Sequence, residues 1–190
     1  MRLPFAATLL LCTLALPAAA ESAVYLLDPT HSFVHFEIRH FGTSTIRGRF
    51  GPIDGSVTLD RAAGRGSVSL AIDTAGVSTG LRVFDSRLRE ADLLASADHP
   101  QASFVADQFR FNGTQLAEVS GQFTLRGVSR PLSLRALRFA CEPRALLAQR
   151  EVCGGDFEAE IERSAFGASF GLPFVADRVR IVVQVEGVRK

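Results

Sequence analysis

The strongest constraint on this chain is a repeated alternation in which every second residue is apolar. Phe33 to His40 places Val34, Phe36 and Ile38 on one face and His35, Glu37 and Arg39 on the other. Val57 and Leu59 repeat the pattern, as do Val68, Leu70 and Ile72, then Val119, Phe123 and Leu125. Leu132 with Leu134, Phe157 with Ile161, and Val179, Ile181, Val183 and Val185 complete the series. A period of two marks a strand with one apolar and one wet face. So many strands with little helix to cover them require a sheet that closes on itself or on a second sheet. The functional question is whether side chains or a ligand fill the enclosed apolar space.

Short links separate the runs. Gly51-Pro52 and Asp54-Gly55, then Ala62 to Gly66, Asn112-Gly113 and Gly127 to Pro131 carry the turn residues. Asn112-Gly113 is a hairpin signal joining two runs. Links this short predict an antiparallel meander, because parallel strands need long crossovers. One segment departs from the alternation. Leu81, Phe84, Leu88 and Leu93-Leu94 fall at mostly helical spacing within Leu81 to Ala95, with Asp85 or Ser86 available as a cap. It reads as one short amphipathic helix lying as a lid or plug at a barrel end.

The first twenty residues have a separate logic. Arg2, the apolar stretch Leu3 to Leu16 and the small residues Ala18-Ala19-Ala20 follow the three-part order of a secretory signal peptide. The expected domains are thus 1–20 as signal peptide and 21–190 as one folded unit. Removing Arg2 from 21 basic residues leaves 20 against 20 acidic ones, a mature net charge of zero. That balance argues against nucleic acid or an anionic membrane held by bulk charge. Export predicts a periplasmic location and suits a disulfide. Cys12 leaves with the leader, and Cys141 and Cys153 remain as an even pair. Their bridge would add about 3 kcal/mol on the chain-entropy account.

Chemical motifs are few. Gly76-Val77-Ser78-Thr79-Gly80 matches the G-x-S-x-G pattern of a nucleophile elbow. That elbow needs an α/β sheet with an acid and then a His downstream, and His99 alone follows here. A polar, glycine-bounded loop accounts for the match. His31 and His35 would share a strand face roughly 13 Å apart, with His40 on the face opposite His35, so the three do not converge on a metal. His31 instead suits a brace in the turn beside Asp28 and Pro29. Glu158, Glu160 and Glu162 alternate as a solvated strand face. The reading is of a non-enzyme without metal or obligate cofactor.

Fifteen Phe with one Tyr and no Trp leave two interiors open, a packed core or a lining for a long hydrocarbon. Small barrels of about eight strands are either filled by side chains or hold one slender ligand.

The run Asp28 to His40 resembles the YceI-like family of exported bacterial proteins. Gly48-Arg49-Phe50 with Asp54-Gly55, Arg87 to Leu94, His99 to Phe104, Gly121 to Val128 and Val179 to Val188 extend the resemblance in order along the chain. It implies an all-β fold, an eight-stranded antiparallel lipocalin-like barrel with one short helical segment. It also implies an apolar channel for a polyisoprenoid lipid, either an isoprenoid quinone or a polyprenyl phosphate. By parity the channel candidates are Val34, Phe36, Ile38, Val57, Val68, Leu70, Phe104, Phe123, Leu132, Phe157 and Ile181, joined by Leu88 and Leu93 from the helix. Two rivals stay open at this level. One is a solid-cored interaction module that supports a membrane redox protein; a homodimer is an open partner expectation under any of these readings. The other is a hydrolase using Ser78.

Overall fold

A computed structural model describes residues 22–190. The leader reading therefore lies outside the described residues. Ten strands run in chain order: β1 (Ala23–Leu27), β2 (Phe33–His40), β3 (Ser44–Phe50), β4 (Ile53–Asp60), β5 (Arg65–Asp73), β6 (Gln101–Asn112), β7 (Gln115–Leu125), β8 (Val128–Arg144), β9 (Arg150–Glu162) and β10 (Val175–Arg189). All pairings are antiparallel, in the order β1-β4-β5-β6-β7-β8-β9-β10-β2-β3, and β1 also pairs with β10. That last pairing, Tyr25 opposite Arg189 and Leu27 opposite Gly187, closes the sheet.

The barrel is eight-stranded because two long strands are each broken once. β2 and β1 lie successively along the same edge of β10, while β3 and β4 pair with β2 and β1 respectively. Counting β1 with β2 and β3 with β4 gives eight staves. The pairing of β1 with β10 closes the barrel, while the outer edge of β3 carries, among the described residues, the Arg49–Ser78 bridge.

The break between β1 and β2 is held by the Asp28 turn. Asp28 Oδ1 accepts from the Thr30 amide at 2.8 Å and from the Thr30 hydroxyl at 2.6 Å, while His31 Nδ1 lies 2.8 Å from Oδ2. Ser32 follows, fully buried, its hydroxyl 3.3 Å from the Glu186 carbonyl on β10. His31 is therefore the turn brace its position suggested. The Thr30 hydrogen bond, followed by that of His31, holds the Asp28 carboxyl down to about 2 from an ordinary 3.8. The same carboxylate raises His31 above its ordinary 6.5. A depressed carboxyl contributes stability above its unfolded pKa and loses it as pH falls through the folded value. A raised imidazole contributes below its unfolded pKa and loses that as pH rises through the folded value. Urea titrations across pH should therefore show Asp28→Asn flattening the acid limb between 3.8 and about 2, and the limb above 6.5 as well. Identical pH profiles for both proteins would remove the turn from the account.

Side chains sort as the alternation requires. Val34, Leu70, Ile72, Phe104, Val119, Leu134, Phe157 and Val183 belong to the main buried cluster. On the wet face Arg47, Glu37, Arg180, Glu158 and Arg135 form a line of alternating charge across β3, β2, β10, β9 and β8. Exposed pairs of this kind contribute little individually, but opposite charges on neighbouring strands disfavour a slipped register. Cys141 and Cys153 face each other across the β8–β9 ladder and form the disulfide.

The helical segment is shorter than its spacing suggests. Helix α1 covers Arg82–Leu88, and its N-cap Leu81 makes no side-chain cap. Asp85 does not cap it either. Its carboxylate lies within the helix and reaches back to the Thr79 amide at 2.6 Å and hydroxyl at 2.7 Å. Leu93 and Leu94 fall in the turns that follow. Among the described residues no helix is long and apolar enough to cross a membrane.

Candidate functional site

Antiparallel alternation puts the turn 41–43, the segment 74–100, the turn 126–127 and the loop 163–174 at one end of the barrel. Beneath this lid end lies a cavity of about 270 Å³. A smaller cavity of about 80 Å³ lies beyond it. Leu70, Phe104, Leu134 and Val183 line both, so these four buried side chains form a waist between them. Leu70 and Phe104 are cross-strand partners on β5 and β6, and the other two come from β8 and β10.

Each residue expected inside by parity sits on one of these walls. Val57, Val68 and Phe157 line the smaller cavity. Val34, Phe36, Ile38, Leu88, Leu93, Phe123, Leu132 and Ile181 line the larger one, and Leu70 and Phe104 stand between. Space for Phe36 depends on Gly48, its partner on β3. A Cβ there would collide with the Phe36 ring.

Sequence reasoning reached the lid-end wall only through Leu88 and Leu93 of the helical segment. Ala168 and Phe170 from the loop before β10, Phe84 and Arg87 from α1, and Val77 from the segment after β5 also line the larger cavity. Loops have no period to read. Two signals were legible: Phe84 lies on the helical stripe with Leu88, and alternation places His40 on the inward face with Ile38.

Three of the four polar side chains on this wall are already partnered, and the fourth, His40, packs against the Phe41 ring. Thr74 donates its hydroxyl to the His99 carbonyl at 2.9 Å. Arg87 makes a two-pronged pair with Asp92 at 2.6 and 2.7 Å, and its guanidinium lies 4.1 Å over the Phe170 ring. Arg163, only 6% exposed, donates to the carbonyls of Ala176, Ala168, Phe170 and Val175 at 2.6–2.9 Å. Burial lowers the Arg163 pKa, opposed by the nearby Asp177 charge. Burial alone would raise Asp177, but hydrogen bonds from Ser164 and the Arg163 charge outweigh it and hold the carboxyl below its ordinary value. What remains facing the cavity is almost wholly hydrocarbon.

The other sequence motifs find structural places. Ser78 exchanges backbone hydrogen bonds with Arg49, at 2.8 and 2.9 Å, in an isolated antiparallel bridge beside β3. It therefore lies in extended chain rather than at a strand-to-helix elbow. Among the described residues, Cys141, Glu151 and Cys153 draw together within 4.8 Å as potential ligand types, but the two sulfurs are bonded to each other.

Comparison with known proteins agrees with this geometry. A "UPF0312 protein" of Pseudomonas aeruginosa is 32% identical over 180 residues, covering 90% of each chain. "Protein YceI" of Escherichia coli O157:H7 is 31% identical over 175 residues, again 90% of each. Among solved structures, BcnA of Burkholderia cenocepacia superposes with a TM-score of 0.67 at 22% identity, over 84% of this chain and 98% of that one. A polyisoprenoid binding domain from Saccharophagus degradans superposes with a TM-score of 0.58 at 19% identity, over 88% and 99%. At such identities the superpositions bear on the fold alone. Residues 25–187 match the YceI-like domain, nearly the whole barrel, and the chain therefore belongs to the YceI-like family.

Proposed function

We propose that this protein is a non-enzymatic periplasmic carrier that holds a polyisoprenoid lipid, an isoprenoid quinone or a polyprenyl phosphate, in its barrel. The observation that carries the reading is the larger cavity, where Thr74, Arg87 and Arg163 are taken up by the protein itself and His40 is the one further polar side chain in the lining. A guest inside meets hydrocarbon, and burying it yields about 25 cal/mol per Å² without any polar contact. A slender tail suits a barrel of this strand number, whose interior holds at most one small ligand. The Saccharophagus degradans domain of the same fold, described as polyisoprenoid binding, supports the choice of ligand. The disulfide and family membership support an oxidising, extracytoplasmic setting.

The test is an organic extract of protein purified from its native host, read by mass spectrometry, with titration of added isoprenoid quinone into stripped protein. Bound isoprenoid and saturable uptake are expected. Clean extracts together with no uptake would leave the packed-core module as the better account.

A further inference from the structure

We propose that the lid end of the barrel docks on an anionic lipid bilayer through a rim of exposed apolar side chains around the cavity mouth. Among the described residues eleven large apolar side chains are exposed, and six of them lie at this end: Phe41, Leu81, Val83, Phe170, Leu172 and Phe174. All three of the exposed phenylalanines are among the six. Phe41 is 60% exposed, Phe174 64% and Val83 72%. A cluster of this kind on a soluble surface marks a contact site rather than chance.

The rim is continuous with the cavity. Phe41 stacks on Phe174 at 5.6 Å, and its amide donates to the Phe174 carbonyl at 2.7 Å. His40, which lines the cavity, packs edge-on against Phe41 at 4.5 Å. On the other side Phe170 lines the cavity and lies under Arg87 of α1. Val83 stands one helical turn before Arg87 on the same face. The apolar surface thus passes from the wall, across the mouth, to solvent.

Charge selects the occupant. The three segments that carry the rim, 39–43, 80–84 and 168–176, contain two charged residues, Arg39 and Arg82, and no carboxylate. On β10, by contrast, Arg178 and Arg180 are paired with Glu160 and Glu158 of β9. Apolar side chains beside unpaired arginines suit the interface of an anionic membrane, where rings enter the acyl boundary and guanidinium groups meet phosphates. A protein partner would more naturally present mixed charge at the rim of such a patch.

Cargo-free vesicles test this independently of lipid uptake into the barrel. The purified protein is sedimented with vesicles of phosphatidylglycerol and phosphatidylethanolamine, and separately with phosphatidylcholine. Expected is binding to the anionic vesicles that weakens with salt. The double variant Phe41→Ser/Phe174→Ser should lose at least about tenfold in partitioning. Arg39→Gln/Arg82→Gln should lose the preference for anionic lipid. None of these side chains lines the cavity, so quinone uptake and thermal unfolding serve as controls for folding. Wild-type protein that stays in the supernatant, or variants that partition equally, would overturn the proposal. So would a dimer by light scattering that the Phe41→Ser/Phe174→Ser change dissociates while vesicle binding is absent, since the rim would then belong to a second copy.

Discussion

Arg163→Met is expected to cost roughly 3–5 kcal/mol of unfolding free energy, the largest loss from any single polar substitution in this barrel. The residue is a buried cation whose four contacts all run to carbonyls between Ala168 and Ala176. Met keeps an unbranched apolar stem to about the position of Nε but offers no donors. The four oxygens would then face a dry interior, and Asp177 would lose its positive neighbour. All four contacts order the loop before β10, so the loss should be local at first. Amide exchange should accelerate through 164–176 well before the β8–β9 ladder opens. Arg126 gives the contrast. It also holds carbonyls, those of Phe166, Ala91 and Leu93, at 2.7–3.0 Å, but it is half-buried and water can replace it. Arg126→Met should cost clearly less. Equal urea midpoints for the wild type and Arg163→Met would mean that the loop keeps its place without its central cation.

That contrast also marks where the sequence was legible. Alternation along Phe33 to His40 placed Val34, Phe36 and Ile38 inward, and each does line the larger cavity. The same rule worked on β5, β6 and β10, because a strand with one wet face has only two settings. Pairing of Cys141 with Cys153 was legible for a similar reason, two partners and one choice. The helix was legible as a break in period but not in length. Leu93 and Leu94 keep helical spacing while the backbone has already turned, held by bonds such as Leu94 to the Leu88 carbonyl at 3.0 Å. Asp85 resembled a cap, yet tertiary proximity to Thr79 decided its role. Arg163 and Phe170 carry no periodic signal, since their importance lies in what folds around them. The waist was hidden for a further reason. It depends on the sizes of four side chains from β5, β6, β8 and β10 meeting across the barrel, a property of closure and not of any one strand.

The waist leads to the second large effect, on ligand selection. If a tail enters from the lid end, Leu70, Phe104, Leu134 and Val183 meet its far tip and set how much chain is buried. Phe104→Ala removes the largest of the four and should join the two cavities. Each additional methylene buried contributes about 0.8 kcal/mol, so two of them shift the dissociation constant about tenfold. A tail one isoprene unit longer than the larger cavity admits should therefore gain tenfold or more in Phe104→Ala, while a tail that already stops short should gain little. The empty variant should be less stable by about 3–5 kcal/mol, the usual cost of Phe→Ala in a core. A long tail that fills the new space should restore part of it, because a ligand that binds only the folded state stabilises it. Val183→Phe works in the opposite sense. Its ring would thicken the waist, at about 1–3 kcal/mol of overpacking, and should leave short tails bound while longer ones weaken. Titrations with quinones of graded tail length, run alongside urea unfolding with and without each quinone, separate selection from stability. Opposite changes in length preference for the two variants place the tip of the tail at the waist. Parallel changes, or none, would mean that the tail does not reach Phe104 and that the larger cavity alone sets the length.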